Sequence, residues 1–309
     1  MKALVFPGQG SQSVGMGSEL FKNFDLVKKI FKEADERLNY PISKIILEGP
    51  ESELKLTKNT QPAILTISYS IFKLITEEFN IEIKKDTKYF AGHSLGEYTA
   101  LVASNSLNFS DALVLLHERG KSMQDAVPEG KGSMLAVMGL KLPELNKYIS
   151  ELNKEKGVCE VANDNSYGQI ILSGDKSAIE EINIILKNNK KKSIFLPVSA
   201  PFHCSLMRPA ADKMEKKINE TIFKDSTIEL VSNVTARPTT NSNEIKKLLI
   251  EQIFSKVRWR ESIEFMVKNE VKEFIEIGPG KVLSGLVKRI SDKVLTKSIN
   301  TVEEIKNLK

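Results

Sequence analysis

The stretch Tyr89-Phe90-Ala91-Gly92-His93-Ser94-Leu95-Gly96-Glu97 decides the fold. Three apolar residues that read as the end of a strand run into a serine bracketed by glycines, and good helix formers follow to about Ala103. A strand that passes into a helix through so short a turn is the building unit of an α/β protein with a mainly parallel sheet. The same junction recurs twice. Ala3-Leu4-Val5-Phe6 leads into Pro7-Gly8-Gln9-Gly10-Ser11-Gln12, and Glu273-Phe274-Ile275-Glu276-Ile277 leads into Gly278-Pro279-Gly280-Lys281 and a helical apolar pattern from Val282 to Ile290. In an open parallel sheet the loops at the carboxyl ends of the strands line one edge, so these three are expected to meet at one cleft.

The middle of the chain has a different rhythm. Strand (134–138), helix (142–154), strand (158–163), strand (169–173), helix (176–188) and strand (193–198) follow one another. That βαββαβ order is the split arrangement of ferredoxin-like domains. Turn-rich joints flank it, Pro128-Glu129-Gly130-Lys131-Gly132 before and Ser199-Ala200-Pro201 after. The expected organisation is an α/β catalytic body of residues 1–127 and 199–309 with a ferredoxin-like subdomain, 128–198, inserted between. The cleft between them is the expected site.

Composition limits the classes open to the chain. Its 309 residues, 41% hydrophobic and 28% charged, suffice for a large core without disulfides or metals. The apolar run at the N-terminus stops at Pro7, too short for a secretion signal or a membrane span, so a cytoplasmic protein without a membrane anchor is expected. Cys159 and Cys204 have neither a disulfide framework's number nor metal-ligand spacing. The net charge of +5 is spread over small clusters such as Lys84-Lys85, Lys190-Lys191-Lys192 and Lys246-Lys247, which read as solvated faces. No aromatic residues interleave them, which argues against nucleic acid.

Gly92-His93-Ser94-Leu95-Gly96 is a G-x-S-x-G pattern in the strand–turn–helix setting that makes it a nucleophile elbow, and an α/β-hydrolase-like body is expected around it. The glycines admit a turn too tight for side chains. The helix start behind the serine offers N–H groups and a positive dipole end to an oxyanion. A base for Ser94 must come from three histidines. His93 adjoins the serine and is expected to pack beneath the elbow. His117 lies two positions before Arg119 in a helical stretch, so the two cannot share a face. His203, in Ser199-Ala200-Pro201-Phe202-His203-Cys204, follows a joint where a side chain can hang over the cleft, and it is the expected base. Asp125, Asp164, Asp175 and Asp212 are available to orient it but none carries a motif; a backbone or amide carbonyl could hold the tautomer instead.

Taken together, Phe6-Pro7-Gly8-Gln9-Gly10-Ser11-Gln12, Gln61-Pro62-Ala63, Gly92 to Tyr98, Arg119-Gly120 with Met123-Gln124, Ala162-Asn163 with Asn165, Pro201-Phe202-His203, Ser232-Asn233-Val234 and Ile277 to Lys281 resemble the malonyl-CoA:acyl carrier protein transacylases of fatty acid synthesis and the related acyltransferase domains of polyketide synthases. The resemblance implies that Ser94 carries the acyl group, with His203 as its base. It implies an oxyanion hole from the N–H groups of Leu95 and Gln9, and Gln252 orienting His203 through its main-chain carbonyl. By itself Arg119 reads as a helix-surface residue paired with Glu118 or Asp125; the resemblance makes it the clamp for a malonyl carboxylate, a task for which a planar, always-charged guanidinium is suited. Phe202 resembles the bulky residue that selects malonyl over methyl-branched groups. The implied partners are malonyl-CoA, which is a substrate rather than a cofactor, and a transiently bound acidic acyl carrier protein. No metal and no bound cofactor are implied, and a monomer is expected. The chain's length, with no attached ketosynthase or carrier segment, points to fatty acid synthesis.

Overall fold

The structure, a computed structural model, describes residues 1–198 and 200–308, with the backbone alone at Lys154. Ser199, the first residue of the expected second joint, lies outside them. The described strands are β1 (Lys2–Phe6), β2 (Thr87–Gly92), β3 (Gly132–Met138), β4 (Cys159–Ser166), β5 (Gln169–Asp175), β6 (Lys192–Phe195), β7 (Glu229–Val231), β8 (Pro238–Thr239), β9 (Glu273–Ile277) and β10 (Leu295–Ile299). They form two sheets. The first has the order β10-β9-β1-β2-β7-β8 and is parallel from β10 to β7, with β8 antiparallel at its edge. The second, β4-β5-β3-β6, is antiparallel throughout.

The apolar run at β1 follows from burial on both faces. Leu4 and Phe6 pack with Phe90 beneath the helices Thr57–Lys73, Gly96–Ala103 and Phe109–Asp125. Ala3 and Val5 point to the opposite face, with Tyr89, Trp259 and Phe274. Side chains alternate along a strand, so a strand covered on both sides must be apolar at every position. Both faces being closed, the edge at the carboxyl ends of β1, β2, β7 and β9 is where polar groups collect.

The second sheet follows the βαββαβ order expected from the sequence, with helices Leu142–Ser150 and Lys176–Asn188. Leu135, Val137, Leu172, Ile179 and Ile182 form its own apolar layer on the helix side. Met134, Ala136 and Ile171, on the other face, join the core of the first sheet. The second sheet is tied to the segment ahead of the helix Trp259–Lys268, where Asp164 N–H donates to Val257 O at 3.0 Å and Val257 N–H donates to Ala162 O at 2.8 Å. A buried Asp164 also pairs with Arg260 at 2.8 Å.

Several expected boundaries move: β3 starts at Gly132 rather than 134, β4 runs Cys159–Ser166 rather than 158–163, and β5 ends at Asp175 rather than 173. The first helix of this layer ends at Ser150 rather than 154, and a short 3-10 turn, Lys154–Lys156, precedes Gly157 at φ 100°. The last strand ends at Phe195 rather than 198, because Leu196 and Val198 turn away to line the cavity between the sheets.

Glycine at 96 is required by contact. A Cβ there would collide with the carbonyl of Phe6 at the end of β1, which is how closely the turn after β2 presses on its neighbour. Gly285, in the helix Val282–Ile290, has open space around the same position. Gly96→Ala is therefore expected to lower unfolding stability by about 1–3 kcal/mol or prevent folding, whereas Gly285→Ala is expected to raise it by about 0.5–1 kcal/mol. Denaturant titration of both variants checks the opposite signs.

Candidate active site

Three loops meet as the sequence led one to expect. Gln9 and Gly10 after β1, His93, Ser94 and Leu95 after β2, and Val282 after β9 line one cavity of about 320 Å³ between the sheets. Met134 and Ile171 of the second sheet form part of the opposite wall.

Ser94 sits at φ 53°, in the left-handed region that costs a non-glycine residue energy and is held only where surroundings over-determine it. The surroundings here are explicit. Gly92 and Gly96 approach so closely that a Cβ on Gly92 would overlap the Gly96 backbone, and Gly8 packs on the carbonyl of His93. Asn233, just beyond β7, accepts from Ser94 N–H through Oδ1 at 2.8 Å and donates through Nδ2 to Gly92 O at 2.7 Å. One side chain thus ties both arms of the turn.

His203 is also left-handed, at φ 58°, and buried. Cys204 Sγ donates to Pro201 O at 3.1 Å, and Ser205 donates to Glu160 on β4 through both its N–H and its hydroxyl. The loop is therefore anchored to the second sheet, with the imidazole turned toward the elbow. Ser94 Oγ lies 2.8 Å from His203 Nε2, and His203 Nδ1 lies 2.9 Å from the main-chain carbonyl of Gln252. A carbonyl can only accept, so Nδ1 carries the proton and Nε2 is the acceptor for the serine hydroxyl. None of Asp125, Asp164, Asp175 or Asp212 bonds the ring among the described residues: Asp164 is taken by Arg260 and Asp175 accepts from Val158 N–H. Burial, with the charge of Arg119 beside it, pushes the imidazole down to about 3, so it is neutral and able to take a proton at neutral pH.

Arg119 is 1% exposed, and its expected alternative pairing fails because Glu118 is bound by Lys217 at 3.2 Å. It reaches inward instead. Nη1 donates to Gln61 Oε1 at 2.7 Å, and Nη2 donates to Gln252 Oε1 at 2.9 Å and to Ser94 Oγ at 3.0 Å. Among the described residues it makes no ion pair; its partners are neutral amides and a hydroxyl. Gly120 makes this reach possible, since a Cβ there would strike the Thr57 carbonyl at 2.6 Å and separate the helix of Arg119 from the helix of Gln61.

The other expected site residues fall as follows. Leu95 and Gln9 border the cavity, and among the described residues neither main-chain N–H donates a hydrogen bond. Phe202, 7% exposed, forms part of the wall. His93 does more than pack beneath the turn: its ring borders the cavity, lies against Trp259 and has Nε2 2.8 Å from Asn165 Oδ1. His117 faces away, toward Tyr40 Oη and Lys58 O.

Sequence reasoning gave no task to Gln61, Glu97 or Asn233, although all three stood in the quoted motifs. Each is buried and polar, and each is bonded to the nucleophile, the arginine or the base's holder. Gln61 lies in a helix that also carries Lys58, Asn59, Thr60, Thr66 and Ser68, so its polarity does not single it out in the sequence. Glu97 accepts from Gln252 Nε2 at 2.6 Å, and burial pushes its carboxyl up to about 7 against those hydrogen bonds.

Residues 3–306 match the acyl transferase domain family. A malonyl CoA-acyl carrier protein transacylase of Bacillus subtilis (strain 168) is 43% identical over 304 residues, 98% of this chain and 94% of that protein. The enzyme of the same description from Escherichia coli (strain K12) is 40% identical, over 96% of this chain and 95% of its own length. Among solved structures, an acyl-carrier-protein-S-malonyltransferase from Bartonella henselae superposes with a TM-score of 0.96 at 39% identity, covering 99% of this chain and 98% of that one. A malonyl-transacylase in complex with its type II polyketide acyl-carrier protein superposes at 0.94, with 37% identity over 99% and 98% of the two chains. Matched over nearly its whole length in both sequence and fold, the chain is an acyltransferase that belongs to the acyl transferase domain family, among its malonyl CoA-acyl carrier protein transacylases.

Proposed function

We propose that the protein moves a malonyl group from coenzyme A to the phosphopantetheine thiol of acyl carrier protein, in fatty acid synthesis, through a malonyl ester on Ser94. The observation that carries the reading is Arg119: a buried guanidinium with no acidic partner among the described residues, 3.0 Å from the serine oxygen. An acyl group on Ser94 that ends in a carboxylate would supply that partner. An acetyl group would leave the charge unpaired in a desolvated site, which is how such a clamp discriminates.

The geometry supports the following steps. His203 Nε2 takes the proton of Ser94 Oγ as the oxygen attacks the thioester carbon. The negative oxygen that forms lies between the N–H groups of Leu95 and Gln9. The C–S bond breaks, His203 returns the proton to the departing thiolate, and the ester remains. The carrier's thiol then gives its proton to His203, its sulfur attacks the ester carbon, and Ser94 leaves and is reprotonated. Main-chain Gln252 O holds the imidazole throughout, and Phe202 fills the space that a methyl branch beside the thioester would need. Residues 128–198 act as the subdomain that closes the cleft over the body of 1–127 and 199–309. The reading includes a cytoplasmic monomer, in keeping with two free cysteines, and it needs only a nucleophile, a base and oxyanion donors.

Incubation with malonyl-CoA followed by intact mass measurement is expected to give one malonyl adduct, absent in Ser94→Ala. Addition of holo acyl carrier protein is expected to discharge it to malonyl-carrier; release of free malonate without malonyl-carrier would overturn the transfer reading. Arg119→Ala is expected to lose malonyl preference over acetyl by about a hundredfold, the scale of an unpaired buried charge-assisted bond.

A base held down at about 3 stays unprotonated on acidification. Single-turnover acylation measured from pH 8 to 5 is therefore expected to lack a histidine limb at its ordinary value near 6.5. A limb at 6.5 that persists in Glu97→Gln would contradict this.

A further inference from the structure

Glu97 lies beneath the nucleophile turn, 1% exposed, and the transfer chemistry gives it no task. Its Oε2 accepts from Gln252 Nε2 at 2.6 Å and from the main-chain N–H of Asn233 at 3.3 Å. The Gln252 amide has unlike surroundings at its two ends. Nε2 faces acceptors: Glu97 Oε2, the Ser94 carbonyl at 3.0 Å and, farther off, Asn233 Oδ1 at 3.4 Å. Oε1 faces a donor, Arg119 Nη2, at 2.9 Å. Turned end for end, the amide would set donor against donor at Arg119 and oxygen against oxygen at Glu97 and Ser94. Arg119 cannot be relied on to impose the orientation, because its guanidinium also serves Ser94 Oγ and Gln61 and must regroup around an incoming carboxylate.

We propose that Glu97 is a positioning residue for acyl selection: its carboxylate fixes the Gln252 side chain with the amide oxygen toward Arg119, and so holds the guanidinium where a substrate carboxylate can meet it. The inference rests on the reading of Arg119 as the clamp. It divides the two services of Gln252. The main-chain carbonyl holds His203 whichever way the amide points, while the side chain serves Arg119. Loss of the lock should therefore weaken the choice of acyl group more than the transfer itself.

The test compares Glu97→Leu, Glu97→Gln and Arg119→Ala with the unaltered enzyme. The readout is kcat/KM for malonyl-CoA and for acetyl-CoA with holo acyl carrier protein, with thermal melting to verify folding. Glu97→Leu is expected to lower the malonyl-to-acetyl ratio about tenfold, the scale of one hydrogen bond to a charged group, chiefly through a higher KM for malonyl-CoA. Glu97→Gln retains an oxygen that can accept from Gln252 and is expected to stay within about twofold of the original ratio, a difference of a few tenths of a hydrogen bond. Equal losses on both substrates in Glu97→Leu, an unchanged ratio there, or a tenfold loss in Glu97→Gln would each overturn the proposal. Where Glu97→Leu does not fold, Glu97→Ala, which removes the same acceptor, takes its place with the same expected loss of ratio and the same overturning result. Arg119→Ala separates the two levels: an unchanged preference in that variant removes the clamp reading, whereas a preference lost there but kept in Glu97→Leu removes only the role of Glu97.

Discussion

Everything at this site depends on a turn that can be made in only one way. Ser94 has to leave β2 with a positive φ and start a helix two residues later, and β1 lies hard against that turn. Glycine at 92, 96 and 8 removes the side chains that would collide, and Asn233 then bonds across the turn from a third strand. The strain in one residue is thus held by packing from several elements. The same constraint aims the serine oxygen into the cavity and leaves the Leu95 N–H without an internal acceptor among the described residues. In the proposed mechanism, the exposure of the nucleophile and the oxyanion donor would both come from this one backbone conformation.

The second organising feature is a desolvated charge balance built from neutral groups. Arg119 is buried against amide oxygens, and His203 is kept neutral by the same burial and by Arg119 itself. A carboxylate in direct contact with Arg119 would satisfy it permanently and close it to a substrate. Glu97 is present but stands one side chain away, bonded to the far end of Gln252. The amide spacer allows an acidic group to organise the site without occupying it.

How much of this was legible in the sequence follows from the range of each interaction. The three strand-to-glycine junctions and the βαββαβ segment are local patterns, and they mark the second sheet and the adjacent strands β9, β1 and β2 of the first, whereas β7, β8 and β10 carry no such junction; Leu196 and Val198 leave β6 for the cavity wall because the cleft, which no local pattern reveals, offers them burial. His117 faces Tyr40 and Lys58, away from Arg119's inward reach, because a helix's face is a local property that spacing reveals. The holder of His203 could not be found by searching for an acidic residue, since it is a main-chain carbonyl, and every residue has one. Glu97, Asn233 and Gln61 carried no local signature of their tasks either. Their partners lie 155, 139 and 58 positions away in sequence, and only the fold brings these pairs together.

The absence of a carboxylate behind His203, among the described residues, bears on why an ester on Ser94 would survive until a thiol arrives. A neutral carbonyl orients the ring but stabilises an imidazolium less than an ionised acid does, and nearby Arg119 disfavours that cation further. Attack by water on the Ser94 ester needs a strong base, because water holds its proton tightly. Attack by the carrier's thiol on the same ester, with the same Ser94 leaving group, asks for less, since a thiol gives up its proton far more readily than water. A base weakened in this way loses more for water than for thiols. The pairing of an uncharged holder with an adjacent guanidinium therefore favours transfer over hydrolysis by the electrostatics of the site itself, before any exclusion of water is considered.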